Sequence, residues 1–400
     1  MLKAFGRSLW KSIARAARTQ QRTTKKLATA LLASASPAKR PARKKASAKK
    51  TSPGKVASSR AQQTKSKPKA QAGPAPLPGK WLASYYTQVP DAEHSGTRRL
   101  AYWLYIPQRE HTGKLPLVVM LHGCGQSATQ FATGSRMNQV AEEQGFAVLY
   151  PQQSLRGHAN RCWPWYDKRV QEGGGETLLL SGLIDKVVQS NGLDETRIYA
   201  AGLSAGAGMA HILALALPDK IAAVGLHSGP VFGAGHTAVG AYSVMQHGSA
   251  KAAAGAIKLL PNPQANMPAI LLQGLADKIV RPINQAQLAQ QFITMNRLDA
   301  AHAMPLRSIA AGRTKTHPRH AHQILDYRIG RKTMLRVCAI SGLEHAWSGG
   351  DCSAAFSACE GPDASKMMWD FFKQHRKPAL RAAQRPTVQD GLDSTSQQNR

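Results

Sequence analysis

From Leu115 onward the chain repeats one pattern: an unbroken apolar run, a break rich in glycine, then a segment of helical period. "LPLVVMLHGCG", "FAVLYP", "RIYAAGLS", "IAAVGLHSG" and "MPAILLQGLAD" are the apolar runs, and "TMLRVCAISGLEHAW" is the last. Unbroken apolarity predicts strands buried on both faces rather than on one. "MNQVAEEQG", "GETLLLSGLIDKVVQSNGLD", "AGMAHILALALPD", "NQAQLAQQFITMN" and "DASKMMWDFFKQH" have the spacing of helices. Strands alternating with helices predict an α/β fold with a doubly wound, mostly parallel sheet. In such sheets the chemistry collects beyond the carboxyl ends of the strands.

The strand "RIYAAGL" runs directly into Gly202-Leu203-Ser204-Ala205-Gly206, a match to G-x-S-x-G with a helix after it. The spacing has a steric reason. A serine on a strained strand-to-helix corner needs neighbours without side chains, or they collide with strand and helix. A serine hydroxyl is a weak nucleophile and needs a base, itself held by an acid. Asp277 in "GLADKIVRP" and His345 in "GLEHAWSGG" each follow a later apolar run, in the chain order Ser, Asp, His. Asp299 and Asp351 are alternative acids, but neither ends an apolar run. His302, His317, His320 and His322 fall in "DAAHAMPLRSIAAGRTKTHPRHAH", which reads as an irregular surface excursion without the spacing of a metal site.

Acyl chemistry at Ser204 also requires two N–H donors for the oxyanion. Ala205, just after the serine, is one candidate, and Cys124 in "LHGCGQ" is the other, with Gly123 and Gly125 freeing its backbone. The Cys124 thiol has two readings, packing or a disulfide to Cys162. Trp163, Trp165 and Trp347 are candidates to line an acyl cleft, with core packing as their alternative. Such chemistry calls for no metal and no organic cofactor.

Charge is unevenly spread. Of the 53 Lys and Arg, 21 lie in residues 1–80, where no Asp or Glu occurs, so the remainder holds 32 against all 22 acidic residues. "MLKAFGRSLWKSIARAARTQ" spaces Leu2, Phe5, Leu9, Trp10 and Ile13 as an amphipathic helix over 2–18, suited to an anionic surface. The Lys, Ala, Pro and Ser that follow cannot bury enough surface to order, and clustered cations attract polyanions of any sequence. No nucleic-acid reader motif accompanies them. "KKLATALLASASPA" has a signal-like texture but a short apolar core far from Met1, and no run approaches a membrane span. Cys352 and Cys359 bracket a short loop and suit a disulfide in an oxidising compartment.

Together "PLVVMLHGCGQSATQFA", "NRCWPWYD", "RIYAAGLSAGAGMA", "VGLHSGP", "LQGLADKIVRP" and "HAWSGG" resemble the poly(3-hydroxybutyrate) depolymerase family of esterases, related to feruloyl and acetylxylan esterases. The resemblance spans Trp81 to His375. It implies an α/β-hydrolase fold over 81–377, between a basic tail at 1–80 and a second tail at 378–400. It implies Ser204, Asp277 and His345 as the catalytic residues and the Cys124 loop as an oxyanion donor. The implied substrate is an ester of a short-chain polyhydroxyalkanoate, polymer or oligomer, met outside the cytoplasm. A carbohydrate-linked ester is the alternative, and a granule- or nucleic-acid-binding role for the tail is a second. The chain departs from the family in the tail, in the His-containing excursion, and in "CSAAFSAC", where a cysteine-free loop is expected.

Overall fold

The computed structural model describes residues 77–378 except 89–96, 110–111, 156–157, 159, 250–265 and 314–316. The basic stretch 1–76, with its expected helix at 2–18, and residues 379–400 lie outside the described residues. The strands are β1 (Lys80–Gln88), β2 (Arg98–Ile106), β3 (Leu117–Leu121), β4 (Ala147–Gln152), β5 (Ile198–Leu203), β6 (Ile221–His227) and β7 (Ala269–Gly274). After them come β8 (Arg307–Ile309), β9 (Gly312–Arg313), β10 (Pro318–Arg319), β11 (His322–Ile329), β12 (Lys332–Ile340), β13 (Trp347–Ser348) and β14 (Ser357–Ala358). The helices are α1 (Ala128–Ser135), α2 (Met137–Gln144), α3 (Lys168–Gln171), α4 (Glu176–Asn191), α5 (Ala205–Ala216), α6 (Ala238–His247), α7 (Ile283–Met295) and α8 (Ala364–Phe372).

Ten strands form one sheet in the order β1-β2-β4-β3-β5-β6-β7-β12-β11-β8. The strands from β4 through β12 in that order run parallel, and β1, β2, β11 and β8 pair antiparallel at the two edges. This is the doubly wound α/β-hydrolase sheet. Every residue of β3, β5, β6 and β7 is buried, as unbroken apolar strands between two helical layers must be. One face carries α4, α5, α6 and α7 over Leu117, Val119 and Leu271. The other carries α1, α2 and α8 over Val118, Met120 and Ile270. On that second face Trp369 of α8 stacks on Phe146, with ring centroids 3.9 Å apart.

Two expectations need correction. The folded chain takes in Lys80, since β1 starts there and the Gly79 N–H donates to the Tyr105 hydroxyl. The stretch expected as an irregular excursion contains β8, β9 and β10 and leads into β11, which pairs with β12. β8 is polar as the outermost strand of the large sheet, and β9 and β10 pair with each other in a separate two-stranded ladder. From His322 to Tyr327 burial alternates residue by residue, one face in and one face out. Asp326 on the buried face is held by Arg336 through two hydrogen bonds, at 2.7 and 2.8 Å. Among the described residues no helix is long and apolar enough to cross a membrane.

Candidate active site

The corner after β5 is as tight as its composition demands. Ser204 has φ 58° and ψ −119°, a region that side chains rarely occupy. A Cβ on Gly206 would sit 1.9 Å from the Leu121 carbonyl oxygen, and one on Gly202 would sit 2.4 Å from Gly206 backbone. Neither position admits alanine without moving a central strand. Ser204 is 8% exposed, so the corner holds it largely out of solvent. Its N–H donates to the His227 carbonyl at 3.0 Å, which seats the corner against the end of β6.

Asp277 and His345 come from two turns that pack on each other. The Ala276 N–H donates to the Leu343 carbonyl at 3.0 Å, and the Leu275 N–H to the Ile340 carbonyl at 2.8 Å. Gly274 makes this possible, because a Cβ there would lie 2.2 Å from the Leu343 oxygen. The result is a 2.7 Å contact between His345 Nδ1 and Asp277 Oδ2. The Asp277 carboxylate is buried, and its other contacts are donors. Ile279 and Val280 N–H reach Oδ1, both at 2.9 Å, and Gln273 Nε2 reaches Oδ2 at 3.0 Å. A carboxylate so fixed admits one orientation of the imidazole. With Nδ1–H donated to Asp277, Nε2 is the ring nitrogen available as a base. Among the described residues no hydrogen bond joins the Ser204 hydroxyl to His345. Such bonds are often long before substrate binds.

The β3–α1 loop lies over the serine. A Cβ on Gly123 would be 3.6 Å from Ser204 Cβ. Its own donors are largely taken: Gly123 N–H goes to Gln126 Oε1, Gly125 N–H to the Asn160 carbonyl, and Gln126 N–H to the Gly123 carbonyl. The N–H groups of Cys124 and Ala205 have no acceptor among the described residues. Cys124 is bonded to Cys162, which resolves the two readings of its thiol. Cys352 and Cys359 are not bonded in this structure.

Two buried histidines hold this arrangement, neither of them expected from the sequence to have a role. His122 Nδ1–H donates to the Gly123 carbonyl at 2.9 Å while Nε2 accepts the Gln153 N–H at 3.1 Å. His227 Nε2 accepts the Ser348 N–H at 3.2 Å and its Nδ1 lies 3.2 Å from Ser228 Oγ. Burial lowers His122 to about 4. Burial first, then the nearby His345, lowers His227 to about 3. Both are neutral props at ordinary pH. The signal was present for each, since His122 and His227 close apolar runs.

The tryptophans correct a further expectation. Trp163 and Trp347 are fully buried, and Trp165 is nearly so. Trp347 packs beneath the His345 loop between Phe131 and His227, and its Nε1–H donates to Ser365 Oγ. Trp163 packs on His122, and Trp165 on Tyr166. They support the site from inside and do not line an open cleft. The alternative acids serve local turns: Asp299 accepts from Ala301 N–H, and Asp351 from Ser353 N–H. His302 pairs with Asp299, and His322 reaches the His320 carbonyl. Among the described residues no three potential metal ligands converge.

The sheet order, the strained corner after β5 and the loops after β7 and β12 define the α/β-hydrolase class. The family model for the PHB depolymerase esterases matches residues 100–317, and the chain belongs to that family. It is 29% identical over 194 residues to the poly(3-hydroxyalkanoate) depolymerase C of Paucimonas lemoignei, covering 46% of each chain. It is 32% identical over 120 residues to feruloyl esterase B of Thermothelomyces thermophilus, covering 30% of this chain and 40% of that one. The chain thus spans less than half the length of these curated relatives. An acetyl xylan esterase from Aspergillus awamori shares the fold, with a TM-score of 0.51 at 15% identity, over 73% of this chain and 99% of that one.

Proposed function

We propose that this protein is a serine esterase that hydrolyses carboxylic ester bonds through an acyl-enzyme. The observation that carries the reading is the 2.7 Å His345–Asp277 contact, built by the turns after β7 and β12, which meet on the β6 side of the Ser204 corner. His345 Nε2 takes the proton of the Ser204 hydroxyl as its oxygen attacks the ester carbonyl. Asp277 keeps Nδ1 protonated and stabilises the imidazolium that forms. The Cys124 and Ala205 N–H groups receive the oxyanion. His345 then protonates the departing alcohol, and water, activated by the same ring, releases the acid.

The substrate class is a short-chain polyhydroxyalkanoate ester, as 3-hydroxybutyrate oligomer or polymer. The family match and the depolymerase relative support it. The feruloyl esterase relative supports carbohydrate-linked esters as the second reading. Ser204→Ala is expected to lower kcat on p-nitrophenyl butyrate by at least about 10⁴-fold, with an unchanged circular dichroism spectrum. Undiminished turnover in a folded variant would refute the assignment. Comparing kcat/KM on 3-hydroxybutyrate oligomers, amorphous polymer and methyl ferulate then decides between the two substrate classes.

A further inference from the structure

Beyond His345 the chain makes a loop that leans on the site. β13 and β14 pair in parallel, Trp347 opposite Ser357 and Ser348 opposite Ala358. The Gly349 N–H donates to the Glu360 carbonyl at 3.0 Å and the Gly350 N–H to the Ala358 carbonyl at 2.7 Å, which closes the neck of the loop. Its tip touches the β3–α1 loop at two points. The Ala355 carbonyl accepts from Gln126 Nε2 at 3.2 Å, and Gln126 Oε1 in turn holds the Gly123 N–H. Phe356, at φ 61° and 43% exposed, sets its ring 3.9 Å from where a Cβ on Gly125 would be.

Cys352 and Cys359 stand on the two sides of this neck. Cys352 is exposed, and Cys359 is half-buried. A hydrogen bond with Cys352, more than burial, pushes the Cys359 thiol up. The other three cysteines do not compete. Cys124 and Cys162 are bonded to each other, and Cys338 is enclosed in the core, where burial pushes its thiol up to about 12.

We propose that Cys352 and Cys359 are a reversible dithiol–disulfide pair, a modification site for low-molecular-weight disulfides, whose closure clamps Ala355 and Phe356 against the oxyanion loop. The accessible Cys352, as thiolate, attacks one sulfur of a disulfide such as oxidised glutathione and expels one reduced thiol. Cys359, as thiolate, then attacks the Cys352 sulfur of the mixed disulfide and expels the second. Two protons and two electrons pass from the protein to the reagent, so one disulfide is exchanged for another and two thiols are released. The neck supplies the proximity that makes the second step intramolecular.

The test treats the folded wild-type protein with oxidised glutathione, alkylates it with iodoacetamide and maps its peptides by mass spectrometry. The expected product is a Cys352–Cys359 cross-link two hydrogens lighter than the dithiol, with Cys338 alkylated only after unfolding. Alkylation of both cysteines, or glutathione adducts that persist on Cys352, would overturn the proposal. A second measurement compares melting of the oxidised wild type with C352S/C359S under the same oxidant. Closing so short a loop is expected to raise Tm by about 5 °C in a domain of this size. Equal Tm values would overturn the clamp. Neither readout depends on ester chemistry, so the pair stands or falls apart from the proposed activity.

Discussion

His227 joins two parts of the site that no local pattern relates. Its carbonyl receives the Ser204 N–H, and its ring receives the Ser348 N–H from a loop 121 residues away. His227→Ala removes the ring acceptor beneath the His345 loop. It is expected to lower kcat about tenfold, the rate equivalent of one lost hydrogen bond, with KM nearly unchanged. His227→Gln keeps an acceptor within reach and is expected to recover most of that loss. If the alanine variant lowers Tm but keeps its kcat, or if glutamine rescues nothing, His227 is packing and not a positioning residue. Ser204 was legible in the sequence because its whole environment is local: glycine two residues to either side, strand before and helix after. The position of His227 at the end of an apolar run was legible too, but its partner was not, because that partner is chosen by which strand ends become neighbours.

At the scale of elements, the parallel strands were legible because burial on both faces leaves no polar alternation to disguise them. The edge strands were harder. β11 alternates cleanly, yet its polar face and its basic neighbours read as surface loop. The β3–α1 loop shows what an element gains from covalent and hydrogen-bonded anchors together. The Cys124–Cys162 bond spans 38 residues, and the Gly125–Asn160 hydrogen bond lies beside it. Cys162→Ala is expected to cost about 3–4 kcal/mol of unfolding free energy, from the loop-closure entropy restored to the unfolded chain. Denaturant unfolding measures it, and an unchanged midpoint would show that the hydrogen bond alone suffices. Under the proposed mechanism activity should fall as well, since the loop that carries the Cys124 N–H is then held less firmly.

At the scale of the whole molecule, four histidines among the described residues are buried in a form that refuses a proton. Burial lowers His122 and His375 to about 4, and His211 and His227 to about 3. In the unfolded chain each takes up a proton near pH 6.5. Their stabilising contribution is therefore complete above about pH 6.5 and is lost as pH falls, through about 4 for the first pair and about 3 for the second. Each pKa unit of depression is worth about 1.4 kcal/mol per histidine, so Tm should decline steeply from pH 6.5 to 4. His211 is the sharpest case. Among the described residues neither ring nitrogen has a hydrogen-bond partner, and the ring lies against Phe232 and Phe292. His211→Leu is expected to raise Tm, and by more at pH 5 than at pH 8. A uniform shift at both values would remove His211 from the acid response.

The sequence by itself determined the path of the backbone through its central strands and helices, the strained corner at Ser204 and the chain order of serine, aspartate and histidine. Those features are local, since period, apolarity and glycine spacing act over a few residues. The tertiary structure alone decided that His122 and His227 hold the loops of the site, that Cys124 bonds to Cys162, and that Trp163 and Trp347 support the site from within. Those outcomes depend on the order of strands in the sheet. Burial of the whole core sets that order, and no stretch of sequence carries it alone.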